Sequence, residues 1–97
     1  MILEIATLQI KPGQTADFEA AFSRAQSIIS SMAGYVSHEL LRCIEDSHHY
    51  SLLVRWQTLE DHTVGFRQSP QYQEWRELLH HFYDPFPTVL HYTFVRV

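Results

Sequence analysis

His62 is the side chain in this sequence best suited to acid–base chemistry, and it stands four residues before Phe66. An imidazole titrates near neutral pH, so it can both take and give a proton. Residues four apart share one face of a helix. We therefore predict that residues 60–62 open a short helical run whose face places His62 at the mouth of an apolar site, as a catalytic base. The alternative is a half-exposed surface histidine near the start of a helix.

A second, strongly aromatic helix follows this run. Ser69 stands directly before Pro70, the order expected for an N-cap and the first helical residue. The large apolar residues beyond them recur at intervals of three and four, the period of a helix that buries one stripe. These large apolar residues of the helix are predicted to line a flat slot for a small planar aromatic or apolar molecule, together with Phe66 and with Trp56 at the end of a strand. These residues are Tyr72, Trp75, Leu79 and Phe82. For each of them, plain core packing is the alternative.

Two polar side chains on or near this helix complete the predicted site. Tyr83 and Arg76 are predicted catalytic residues that donate hydrogen bonds to a deprotonated substrate while His62 acts as the base, and Tyr72 is the alternative to Tyr83 as a donor. Tyr83 or His81 is the next candidate for the base if His62 is not.

Other catalytic and cofactor motifs are absent from the sequence. It has no nucleophile elbow, phosphate-binding loop or dinucleotide fingerprint. Glu77 and His81 are four residues apart, but two ligands are too few for a metal site. We predict no metal and no cofactor. If the chain is an enzyme, it therefore works without a built-in cofactor site.

Composition limits the classes of partner. The 97 residues are predicted to form one domain, 1–97. A net charge of −4 with Lys11 as the single lysine gives no basic patch, which disfavours nucleic acid and anionic membranes. The lone Cys43 forms no internal disulfide, and no apolar run has the length of a membrane span or a signal segment. We expect a cytoplasmic protein.

The pattern of elements predicts the order β-α-β-β-α-β. Thr15 is the expected N-cap of the first helix, and Gly34 is its expected stop. The predicted strands are 2–10, 35–44, 50–57 and 88–97. This order is that of a ferredoxin-like α+β sandwich, an antiparallel sheet with both helices on one face.

The first and last strands are apolar on both faces, although helices would cover only one. An uncovered apolar face of that size marks an interface, so we predict a homodimer that packs sheet against sheet. Among the charged strand residues, Glu4 and Glu39 are expected to pair with Arg42 and Arg55 across the sheet or the dimer.

The chain resembles the antibiotic biosynthesis monooxygenase domain, a member of the dimeric α+β barrel superfamily. The features that match run through the whole chain. They are Lys11-Pro12-Gly13, Phe18, Gly34-Tyr35, Trp56, Leu59 and Ser69-Pro70-Gln71-Tyr72. The resemblance implies a dimeric barrel, and it is compatible with cofactor-free oxygenases of polyketide quinones, haem-degrading monooxygenases and isomerases.

Two departures from the haem-degrading members of the family disfavour haem degradation. Haem-degrading members have an asparagine in strand one and an iron-ligating histidine on the second helix, where this chain has Ala6 and Arg76. A guanidinium offers no lone pair to iron. We therefore predict a cofactor-independent, quinone-forming monooxygenase that acts on a small aromatic or enolisable compound. The alternatives are an isomerase of the same superfamily and a non-catalytic homodimer that binds a small ligand.

Overall fold

Four strands form one antiparallel sheet in the order β2-β3-β1-β4. The computed structural model describes residues 1–97, and the strands are β1 (Ile2–Gln9), β2 (Tyr35–Arg42), β3 (His49–Trp56) and β4 (Thr88–Thr93). The helices are α1 (Thr15–Ser30) and α2 (Pro70–Leu79), with a π-helical segment at Asp61–Phe66 and a 3₁₀ turn at His80–Phe82. The predicted ferredoxin-like α+β fold is confirmed.

The inward face of the sheet and the helices share one core. Ala6, Leu8 and Ile10 of the first strand region are buried, and so are Phe18 and Phe22 of α1. The buried residues of α1 therefore form one apolar stripe that faces the sheet. Its N-cap is Gln14 rather than the predicted Thr15, and no side chain caps this helix end. The first helical N–H groups therefore lack the side-chain partner that the sequence suggested.

The start of α2 agrees with prediction. Pro70 occupies the first turn, and the Ser69 hydroxyl accepts a hydrogen bond from the backbone N–H of Tyr72 at 3.2 Å. This cap satisfies one of the free N–H groups of the helix and fixes where α2 begins. Consequently Tyr72 and Trp75, three and six residues after Ser69, lie on the inner side of α2.

Gly34 makes the turn from α1 into β2 and has a φ of +83°. A Cβ at this position would collide with the side chain of Asp61, which begins the π-helical segment. Asp61 is held there because its carboxylate accepts from the Thr58 N–H at 3.1 Å, while its own N–H donates to the Thr58 hydroxyl at 3.2 Å. Gly34 therefore lets β2 approach the segment that carries His62.

We expect Gly34→Ala to lower the free energy of unfolding by about 2–4 kcal/mol, because it adds a steric collision to a left-handed backbone. Gly13→Ala is the matched control. Gly13 has a φ of +78°, but a Cβ there would meet nothing within 4 Å. Chemical denaturation should show a clearly larger loss for Gly34→Ala, and equal losses would contradict a role for the Asp61 contact.

The outward face of the sheet has an uncovered apolar patch on β1 and β4, beside the Arg55–Glu39 ion pair. On this face Ile5 pairs with Leu90 and Leu3 pairs with Tyr92 in register, and Leu90 and Tyr92 are 53% and 45% exposed. β4 ends at Thr93 rather than continuing to residue 97, because the last residues find no neighbouring strand. The longest helix has 16 residues, and no helix combines the length and the hydropathy of a membrane span.

The charged strand residues pair only partly as predicted. Arg55 and Glu39 form an ion pair at 3.0 Å, as expected for neighbouring strands. Arg42 instead pairs with Glu19 of α1 at 3.1 Å, because it faces the helices. Glu4 pairs with neither arginine, since its side chain points into the core. That inward carboxyl defines the site described next.

Candidate functional site

A cavity of about 460 Å³ lies between the sheet and the layer formed by the helices. Its volume is within the range of small-molecule sites, and most of its walls are apolar or aromatic. The residues that line it are Glu4, Ala6, Leu8, Ile29, Leu52, His62, Phe66, Arg67, Tyr72, Trp75, His80, Tyr83, Phe86, Pro87 and Val89. The cavity is where the sequence predicted a slot.

His62 is in the wall of this cavity and is almost fully buried, with 3% of its surface exposed. Its ring stacks on Trp56, with the centroids 5.4 Å apart and the planes at 22°. The alternative of a half-exposed surface histidine is therefore wrong, and His62 lies in the wall of the cavity rather than at the predicted position at its mouth. The π-helical segment turns His62 toward the sheet, and Trp56 at the end of β3 covers one side of its ring.

Glu4 of β1 is the group that His62 contacts inside the wall. The Glu4 Oε1 atom lies 3.3 Å from His62 Nε2 and accepts a hydrogen bond from Trp56 Nε1–H at 3.0 Å. Only 5% of Glu4 is exposed. A carboxyl on the inner face of a central strand is costly to bury unless it has partners, and here the indole and the imidazole supply them.

His91 of β4 extends this contact toward the surface. It lies opposite Glu4 in the register of β1 and β4, so its side chain shares the inner face. Its Nε2 atom is 2.8 Å from His62 Nδ1. His91 is only partly buried, whereas Glu4 and His62 are buried. The three side chains form a continuous carboxyl–imidazole–imidazole chain from the cavity wall to the surface.

Burial perturbs the titration of these groups in opposite directions. It raises the pKa of Glu4 to about 7, opposed by the hydrogen bond from Trp56 and the charge of Arg67. Burial lowers the pKa of His62 to about 3, and the Arg67 and His91 charges act in the same direction. The pKa of His91 is also lowered, chiefly by burial. Around neutral pH the imidazoles are uncharged, and Glu4 is close to its midpoint.

This arrangement can move a proton over its whole length. Glu4 Oε1 and His62 Nε2 are in contact at 3.3 Å without the angles of a hydrogen bond, so a small turn of the imidazole ring is needed to form one. With that bond formed, ionised Glu4 accepts from His62 Nε2–H, and His62 Nδ1 accepts from His91 Nε2–H. When Glu4 is protonated, each of these hydrogen bonds runs in the other direction, and His91 carries its proton on Nδ1. One proton therefore passes between Glu4 and solvent when each imidazole takes one proton and gives one.

The pH dependence of stability tests these titrations. For Glu4 the folded pKa of about 7 exceeds the ordinary 4.5, so its contribution is complete below pH 4.5 and is lost as pH rises through about 7. For His62 the folded pKa of about 3 is below 6.5, so its contribution is complete above pH 6.5 and is lost as pH falls through about 3. The two slopes oppose each other between pH 4.5 and 6.5.

We expect the free energy of unfolding of the unmodified chain to be nearly constant over that interval. In Glu4→Gln it should rise with pH instead, so that the difference between the two proteins changes by about 2–3 kcal/mol between pH 4.5 and 7. Urea unfolding at a series of pH values measures this. Glu74→Gln, at an exposed position on α2, is the control. Parallel curves for the unmodified chain and Glu4→Gln would contradict the burial of an uncharged Glu4.

Several predicted site residues do meet at the cavity. Phe66, Tyr72, Trp75 and Tyr83 line it together with His62. Burial raises the pKa of Tyr83, so its hydroxyl stays protonated and able to donate.

Other predicted site residues lie elsewhere. Trp56 is behind Glu4 rather than in the lining, and Leu79 and Phe82 are core residues. Arg76 is exposed and does not line the cavity, which corrects its predicted role. It follows Trp75 directly, and consecutive helical residues point about 100° apart.

Sequence reasoning missed Glu4, His91 and Arg67 as members of this site. The signal for Glu4 was its place in the alternation of β1, where Glu4, Ala6 and Leu8 share one face. A carboxyl on a face that is otherwise apolar indicates a buried, partnered group. No local pattern indicates His91, because only the pairing of β4 with β1 places it beside Glu4. No group of three or more histidine, cysteine or acidic side chains is arranged to hold a metal ion.

Comparison with known proteins identifies the family. The family model for antibiotic biosynthesis monooxygenases matches residues 1–78. The chain belongs to the antibiotic biosynthesis monooxygenase family. It is 58% identical over 92 residues to the uncharacterised protein YczJ of Bacillus subtilis (strain 168). The aligned region covers 95% of this chain and 97% of YczJ.

Two solved structures have the same fold as this chain. A candidate antibiotic biosynthesis monooxygenase from Bordetella bronchiseptica is 39% identical with a TM-score of 0.94, covering 98% of this chain and 97% of that one. SnoaB, a cofactor-independent oxygenase from Streptomyces nogalater, is 21% identical with a TM-score of 0.75, covering 99% and 94%. At that identity the second likeness concerns the fold alone.

Proposed function

We propose that this family member is a cofactor-independent monooxygenase that removes a proton from a small aromatic or enolisable substrate held in the cavity. The observation that carries the proposal is the contact of Glu4 with His62 in the cavity wall, at 3.3 Å. A general base works best when its pKa lies near the operating pH, and Glu4, at about 7, meets that condition. The name of SnoaB, a cofactor-independent oxygenase, agrees with the reaction class.

The proposed reaction balances without a cofactor. Glu4 takes a proton from the substrate, with His62 as its partner, and leaves an enolate or phenolate. This anion transfers electrons to O₂, and a carbon–oxygen bond forms to give a peroxide, which takes back a proton. The O–O bond then breaks as the remaining hydrogen on that carbon leaves as a proton. One oxygen atom stays in the product as a carbonyl, and the other leaves as water.

The walls of the cavity suit such a substrate. Phe66 and Trp75 pack edge to face, with centroids 5.6 Å apart, and Tyr72 stands at 88° to Phe66. Large rings of this kind exclude water and accept a planar molecule. Tyr83 also lines the cavity, and in this proposal its hydroxyl donates to the anion. Haem degradation is outside the proposal, because Arg76, at the position of the iron ligand, has no lone pair to donate.

A panel of phenols, anthrones and quinols tests the proposal, with oxygen uptake and ligand-induced shifts of the melting temperature measured together. We expect at least one compound to be oxygenated with one O₂ consumed per product. Rearrangement without oxygen uptake would favour an isomerase, which could use the same acid–base pair. Binding of several compounds without conversion would overturn the enzymatic proposal in favour of a ligand-binding protein.

We further propose a homodimer formed through the outward face of the sheet. The apolar side chains on that face, among them Leu3, Ile5, Leu53 and Leu90, support it. Contiguous exposed apolar patches on a sheet often mark an interface between proteins. A two-fold arrangement would cover the same patch on both copies.

We expect Leu90→Asp to raise the dimer dissociation constant roughly 100-fold or more, because it leaves a charge unpaired in an apolar interface. Val64→Asp is the matched control, since Val64 is also half-exposed (49%) but lies on the π-helical segment. Sedimentation velocity over a concentration series measures both. A stable monomer of the unmodified chain at micromolar concentration would contradict the proposed dimer.

A further inference from the structure

Arg67 is a cavity residue that the proposed reaction does not use. It follows the π-helical segment directly, and its backbone N–H donates to the carbonyl of His62 at 3.1 Å. This hydrogen bond fixes the Arg67 backbone beside the turn that carries His62. The side chain lines the cavity but is exposed, so it stands at the solvent edge of the cavity.

Arg67 is also the only lysine or arginine that lines the cavity, and Glu4 is the only acid. The guanidinium forms none of the structure's four ion pairs. Burial holds Glu4 near its midpoint at neutral pH, so it cancels only part of the Arg67 charge. The cavity is therefore net positive within a chain whose net charge is −4. Such an edge attracts an anionic ligand.

The charge of Arg67 acts on the whole proton chain. It lowers the pKa of Glu4, of His62 and of His91. Arg67 lines the same cavity as Glu4 and His62 and is exposed, whereas those two side chains are buried, so Arg67 marks the solvent edge of that cavity. A flat ligand in the cavity would thus have the Glu4–His62 pair on one side and a free guanidinium at its outer edge.

We propose that the natural ligand is a planar aromatic acid whose carboxylate binds Arg67 while its hydroxyl or enolisable carbon faces Glu4. A guanidinium presents two parallel N–H donors that match the two oxygens of a carboxylate. Phe66, Tyr72 and Trp75 supply the surfaces that hold the ring. The placement of the ligand's hydroxyl or enolisable carbon at Glu4 rests on the proposed function, whereas the placement of its carboxylate rests on Arg67.

A matched pair of probes tests the anionic end without turnover. 6-Hydroxy-2-naphthoate carries a carboxylate and a phenol, and its methyl ester has nearly the same shape without the charge. Isothermal titration calorimetry would give the dissociation constants of both for the unmodified chain, Arg67→Gln and Arg67→Lys. Arg24→Gln, at an exposed position on α1, is the control for the loss of one positive charge.

We expect the acid to bind roughly 10-fold more tightly than the ester, as one charge-assisted bidentate contact allows. Arg67→Gln should bring the ratio close to one, Arg67→Lys should keep part of it, and Arg24→Gln should keep all of it. The proposal is overturned if the acid and the ester bind equally, if the ratio survives in Arg67→Gln, or if neither probe binds at millimolar concentration.

The calorimetric and oxygenation experiments together distinguish a failure of the proposed ligand class from a failure of the proposed oxygenase reaction. A preference for the acid that depends on Arg67, without oxygenation of any hydroxyaryl compound, would support the ligand class and refute the oxygenase. Oxygenation of neutral phenols with no preference for the acid would do the reverse.

Discussion

Replacing His62 by alanine should lower the turnover of an enolisable aromatic substrate by roughly 10²–10⁴-fold, the usual effect of losing positioned proton transfer. The reason is geometric. His62 Nε2 lies 3.3 Å from Glu4 and Nδ1 lies 2.8 Å from His91, so the truncation separates the base from its connection to solvent. The rate measured at saturating substrate should fall, because the loss concerns the chemical step.

The same substitution should also lower the free energy of unfolding by about 1–3 kcal/mol, since Glu4 and His91 each lose a partner in a poorly hydrated wall. His81→Ala is the matched control, because His81 is exposed on the 3₁₀ turn next to α2. Its turnover and stability should stay close to those of the unmodified chain. If His81→Ala lowers turnover while His62→Ala does not, the role assigned to His62 as the partner of Glu4 is wrong.

Trp75→Ala should be the most destabilising of the site substitutions, at about 3–5 kcal/mol. Trp75 is only 5% exposed and packs edge to face on Phe22 of α1, with centroids 5.9 Å apart, and on Phe66 at 5.6 Å. Its ring therefore joins α1 and the π-helical segment in the helical layer above the cavity. Truncation removes these contacts and leaves a void that the neighbouring rings fill only in part.

Phe86→Ala provides the comparison for Trp75, since Phe86 also lines the cavity but is 72% exposed. Its removal should change stability by no more than about 0.5 kcal/mol while it weakens the binding of an aromatic probe. Equal losses of stability in thermal unfolding would mean that Trp75 is not part of the shared core.

The sequence predicted the elements well, because their signals are local. The Ser69–Pro70 start of α2 and the positive φ of Gly34 are decided by neighbouring backbone groups, and both are confirmed. Gly34 is not the helix stop that was predicted, because α1 already ends at Ser30 with Ser31 as its C-cap. The same locality explains the aromatic wall. Tyr72 and Trp75 lie three residues apart, so a correctly placed helix start puts both on the inner face.

The polar half of the site could not be predicted because strand pairing creates it. Glu4 and His91 are far apart in the chain and meet only through the register of β1 with β4. Arg76 has suitable chemistry and lies on the correct helix, but the side chain that points inward there is that of its neighbour Trp75, and Arg76 is exposed. Arg67 carries no local signal that separates it from a surface arginine, and its position at the cavity edge follows from the turn after His62.

Anaerobic mixing with anthrone most directly tests whether the Glu4–His62 pair removes a proton from a bound substrate. Without oxygen the reaction stops at the enolate, whose absorbance differs from that of the neutral ketone. We expect the enolate band at a pH where free anthrone stays neutral, and its loss in Glu4→Gln and His62→Gln, with binding retained as a shift in melting temperature. Anthrone that binds without an enolate band, or a band unchanged in both variants, would contradict the assignment.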